Sequence, residues 1–70
     1  MMKYLKTETD KKLYSLLKEI WDDNNFLEGI STLLTDDKQK QILIDEIQNG
    51  LKDIKIIMYM ASDIADGLEV

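Results

Sequence analysis

Apolar residues recur along the chain at spacings of three and four, and the period-two alternation of β-strands is nowhere sustained. Proline is absent and glycine occurs only at positions 29, 50 and 67. Both features point to an all-α protein. The first stripe runs through Leu13, Leu16, Leu17, Ile20 and Trp21, with Tyr14 at its edge. It follows Thr7-Glu8-Thr9-Asp10, where Thr7 or Thr9 can cap a helix and the acids suit the positive end of its dipole. Glu8 and Lys12 have the spacing of an outward i,i+4 ion pair.

A polar tract, Asp22-Asp23-Asn24-Asn25, separates this helix from a shorter one carrying Phe26, Leu27, Ile30, Leu33 and Leu34. Asn25 and Glu28 have capping-box spacing for the second start, and Asp36 and Gln39 have it for the third. Asp36 and Lys40 also make a favourable local charge pair. From Asp37 onward the apolar positions Leu43, Ile44, Ile47, Leu51, Ile54, Met58, Ala61, Ala65 and Leu68 project within about 60° of Ile47 at 100° per residue. Asn49-Gly50 is a helix stop and Asp53 a restart, whereas the continuous phase fits one long helix with an internal glycine. The expected architecture is therefore a single helical domain over residues 1–70, a small bundle of three or four helices. Its core is expected to contain Leu17, Ile20, Ile30, Leu33, Leu34, Ile47, Leu51, Ile54 and Met58.

The last segment is apolar over more than one face: Ile56, Ile57, Met60 and Ile64 lie off the main stripe. They are read as a candidate interface, with coverage by Met1-Met2-Lys3-Tyr4-Leu5 as the intramolecular alternative. Chain length adds weight to the interface. Seventy residues bury a small core, and neither disulfides nor thiolate metal sites can brace it, because cysteine is absent.

Composition removes most other classes. Histidine and arginine are both absent, so the commonest general base, the usual zinc ligand and the bidentate phosphate binder are missing. Fourteen acids against nine lysines give a net charge of −5, the wrong sign for a nucleic-acid footprint. The longest apolar run, Ile56-Ile57-Met58-Tyr59-Met60-Ala61, is far shorter than the roughly 20 residues of a membrane span. No leader pattern opens the sequence, so a cytoplasmic location is expected by elimination.

Candidate chemistry is sparse. The acidic pairs Asp22-Asp23, Asp36-Asp37 and Asp45-Glu46 are better explained as caps, turns and solvated faces than as cation sites. An EF-hand alignment of the first would put Phe26 at loop position five, a ligand position, and leaves the required glycine missing. Ser15 and Lys18 lie three apart, but no nucleophile-elbow, P-loop or dinucleotide motif is present. No catalytic, cofactor or metal residue is assigned. Trp21, at the end of the first stripe, fits a core or rim position.

Asp23-Asn24-Asn25-Phe26-Leu27-Glu28-Gly29-Ile30, Leu34-Thr35-Asp36-Asp37-Lys38-Gln39-Lys40-Gln41 and Ile44-Asp45-Glu46-Ile47 resemble segments of short uncharacterised helical proteins of Gram-positive bacteria. The shared features are an acidic turn, an aromatic-led short helix with one glycine, and an acidic, Lys/Gln-rich start to the next helix. The resemblance covers roughly residues 22 to 49. It implies an all-helical fold and carries no activity with it.

Two functions remain. One is a small non-enzymatic protein that associates with other proteins, as a homo-oligomer held through its C-terminal helix. The other is an acidic inhibitor or immunity-type protein that neutralises a basic partner such as a nuclease or toxin.

Overall fold

The computed structural model describes residues 6–67 and contains four helices: α1 (Glu8–Ile20), α2 (Asn24–Leu33), α3 (Asp37–Gln48) and α4 (Ile54–Ala65). Each begins on a side-chain cap. Thr7 Oγ1 accepts from the Asp10 amide at 3.1 Å, and Asp10 Oδ2 accepts in return from the Thr7 amide at 3.1 Å. Asp36 and Gln39 close the same reciprocal box on α3. In α2 the cap is Asp23, accepting from the Phe26 amide at 3.0 Å, rather than the expected Asn25. Four successive capping-type residues, Asp22 to Asn25, straddle this helix start, and the one chosen lets Phe26 and Leu27 enter the core in the first turn.

The stop at Asn49-Gly50 is real. Gly50 has φ 115°, its amide donates to Ile47 O, and the Leu51 amide donates to Glu46 O, both at 3.0 Å. This double closure is a Schellman motif, which needs a residue at positive φ and therefore favours glycine. Asp53 then restarts the chain by accepting from the Lys55 and Ile56 amides. The fold is thus a four-helix bundle.

α1 packs most extensively on α3 and also meets α2, while α4 packs against α2 and α3. The core is Leu13, Tyr14, Leu17, Phe26, Leu27, Ile30, Leu34, Leu43, Ile44, Ile47, Ile57, Ala61 and Ile64, with all four helices represented. Ile20, Leu51 and Ile54 pack on it half-buried.

Two expected core residues are instead exposed. Leu33 ends α2 and turns outward, because the next residue, Leu34, leaves the helix as its C-cap and fills the interior. Met58 is exposed because α4 does not inherit the phase of α3. Residues 49–53 are non-helical, so the 100° count from Ile47 is lost across them. The inward line of α4 is Ile57, Ala61 and Ile64. Leu68 and the N-terminal stretch Met1–Leu5 lie outside the described residues.

Candidate functional site

The four residues singled out on the last helix separate into two groups. Ile57 and Ile64 are buried, at 0% and 3% exposure, and belong to the core. This corrects their placement on an outward face; the reset of phase at Asp53 turns them inward. Met60 is half-buried against the core, and Ile56 keeps about half its surface in solvent, at 48%. The outward face of α4 is completed by Tyr59, which was not among the four candidate interface residues and which is the most exposed of the large apolar residues described, at 72%. Counting the helical phase from Asp53 instead of Ile47 would have found it, since Tyr59 then falls opposite the Ile57–Ala61–Ile64 line.

Of the five large hydrophobic side chains exposed among the described residues, Ile56, Met58 and Tyr59 are on α4, whereas Trp21 and Leu33 sit at helix ends. Trp21 is partly occupied, its ring 5.2 Å from that of Phe26 and tilted by 38°. Three of the five exposed side chains thus lie on one element, α4.

A second constellation is polar. Lys40 of α3 reaches across to Asp10 of α1, rather than to the locally expected Asp36, and both side chains are nearly out of solvent. Asp10 Oδ2 also accepts from the Lys6 and Thr7 amides, at 2.9 and 3.1 Å. Thr7 Oγ1 donates to Asp37 Oδ1 at 3.1 Å, and Asp37 lies 3.9 Å from the Lys40 ammonium. Burial pushes the Asp10 carboxyl up, but the hydrogen bonds from Lys40, Lys6 and Thr7 outweigh it, and the net shift is below the ordinary value of 3.8. Beside this pair lies a shallow depression of about 360 Å³ that includes Ser31, Thr32 and Thr35. The carboxylate already holds three donors, so it is committed to clasping α1 to α3 and has little capacity left to act as a base.

The other polar candidates are also occupied. Lys18 stands 5.9 Å from the centre of the Tyr14 ring, away from a Ser15 partnership, and Glu8 pairs with Lys11 at 3.5 Å instead of Lys12. Asp23, Asp36 and Asp53 are caps. Among the described residues no group of three acidic side chains converges as a metal site would require, and no helix is long and apolar enough to cross a membrane.

No family model, curated protein or solved structure matches the chain.

Proposed function

We propose that this is a small non-enzymatic protein that acts by protein–protein association, and that it self-associates through the outward face of α4. The observation that carries this is the exposure of Tyr59 and Ile56 on successive turns of one helix, which also exposes Met58. Exposed apolar area of this kind, rimmed by polar residues, marks interaction surfaces. Aromatic and methionine side chains are also enriched in interface centres.

The competing proposal, an acidic inhibitor of a basic partner, draws on the net charge of −5. It is weakened by the commitment of Asp10, Asp23, Asp36 and Asp53 to the ion pair and the caps.

The test is molar mass by light scattering from about 10 μM to about 1 mM, the range suited to a modest interface. Wild type is expected to rise above monomer mass with concentration, and Ile56→Asp/Tyr59→Asp to stay monomeric with unchanged helicity by circular dichroism. A wild type that remains monomeric across the range overturns self-association.

A further inference from the structure

Apart from the Asp53 cap, the charges at the two ends of α4 are arranged against the helix dipole. Lys55 lies in the first turn and Lys52 just ahead of it, where the positive end of the dipole disfavours cations. Asp63 lies in the last turn and Asp66 is the C-cap, where the negative end disfavours carboxylates. No hydrogen bond or ion pair within the described residues engages the side chains of Lys55 and Asp63 in compensation. At about 100° per residue Lys55, Tyr59 and Asp63 follow one another in i,i+4 steps, Lys55 and Tyr59 exposed and Asp63 half-buried at the edge of the same face, and Ile56 borders it. Lys55 and Asp63 are equidistant from Tyr59, and Lys52 and Asp66 extend the same symmetry outward.

Resting on the self-association proposed above, we infer that α4 pairs with α4 of a second copy in antiparallel register centred on Tyr59, with each Lys55 facing Asp63 of the partner copy. An antiparallel two-fold contact brings the basic end of one helix onto the acidic end of the other, twice, as an isologous interface requires. A parallel contact would set lysine on lysine and aspartate on aspartate. The same pairing sets a carboxylate opposite Lys55 at the N-terminal end, where the Asp53 cap already stands, and an ammonium opposite Asp63 and Asp66 at the C-terminal end, which has no cation of its own. It also explains how a chain of charge −5 can approach its own copy at this face.

One face of a 12-residue helix spans about 18 Å and falls short of the roughly 800 Å² per partner of a standard interface. The contact is therefore a weak, exchanging dimer rather than an obligate one.

Charge-block variants separate this register from simple charge repulsion. Asp63→Lys/Asp66→Lys moves the net charge four units toward neutrality, so a chain limited only by overall repulsion would associate better. The antiparallel register instead predicts about tenfold weaker association, because four lysines then face four lysines. Lys52→Asp/Lys55→Asp should weaken it as well, and an equimolar mixture of the two variants should recover a dimer. Orientation is read separately by cysteine trapping, which is clean in a chain without cysteine. Lys55→Cys mixed with Asp63→Cys should cross-link on oxidation far more than either alone. If wild type self-associates but Asp63→Lys/Asp66→Lys associates as well or better, or Lys55→Cys cross-links chiefly to itself, the register is wrong and self-association stands. A wild type that is monomeric up to about 1 mM removes both.

Discussion

The Asp10 carboxylate and the Lys40 ammonium meet across the α1–α3 interface with side-chain exposures of only 6% and 11%. Such a pair contributes little net stability over apolar replacements, because both charges have left water, but it is costly to break from one side. Lys40→Met should cost about 3 kcal/mol in urea denaturation, and Asp10→Leu at least as much, since it also removes the acceptor for the Lys6 and Thr7 amides. The double variant Asp10→Leu/Lys40→Met should recover part of the loss. Losses that simply add would show that the two groups are not coupled.

The same pair gives stability an acid limb. The folded Asp10 carboxyl titrates below its ordinary value, the hydrogen bonds and the lysine charge prevailing over burial. Its contribution is fully present above the unfolded value and is lost as pH falls through the lower, folded one. Unfolding free energy measured from about pH 6 down to about pH 2 should fall less steeply in Asp10→Asn than in wild type. Parallel curves would place the acid sensitivity elsewhere.

Neighbouring positions should respond very differently to truncation. Leu17 is fully buried and Leu17→Ala should cost about 2–5 kcal/mol, most of the stability of a domain this small. Leu33→Ala, at a residue 40% exposed, should cost less than about 1 kcal/mol. The contrast repeats one residue apart on α4: Ile57→Ala should be severe and Ile56→Ala mild. Chemical denaturation of the four variants checks the inward line of each helix.

Two glycines should behave in opposite ways. Gly29 sits inside α2 with open space where a Cβ would stand, so Gly29→Ala should raise stability by about 0.5–1 kcal/mol. Gly50 also has open space, yet its φ of 115° strains any L-residue, so Gly50→Ala should lower stability by about 1 kcal/mol or more. Thermal melts of both variants give the signs directly.

Local chemistry was readable from the sequence wherever cause and effect lie within four residues. The Thr7, Asp36 and Asp53 caps and the Asn49-Gly50 stop are of this kind, and with them the all-α class. The α2 cap was misplaced by two residues because Asp23 competes with equally suitable neighbours. Lys40 has acceptable local acids, so nothing in its surroundings announces a partner 30 residues away. The face of α4 was misread for a geometric reason. Helical phase survives only through helical residues, and the five that separate α3 from α4 exchange Met58 for Ile57 in the core. Of the candidate interface, Ile56 and Met60 kept access to solvent; Tyr59 lies between two methionines in an apolar run, and which member faces out follows only once the phase of α4 itself is known.

The α1–α3 clasp also sets a timetable for the newborn chain. At about 5–20 residues per second, a ribosome makes Asp10 roughly 2–6 s before it makes Lys40. Through that interval Leu13 and Leu17 have no α3 to pack on, and an isolated 13-residue helix is marginal in water. α1 therefore gains its main packing partner only when α3 arrives, and until then α2 is the one helix already made that it can pack on.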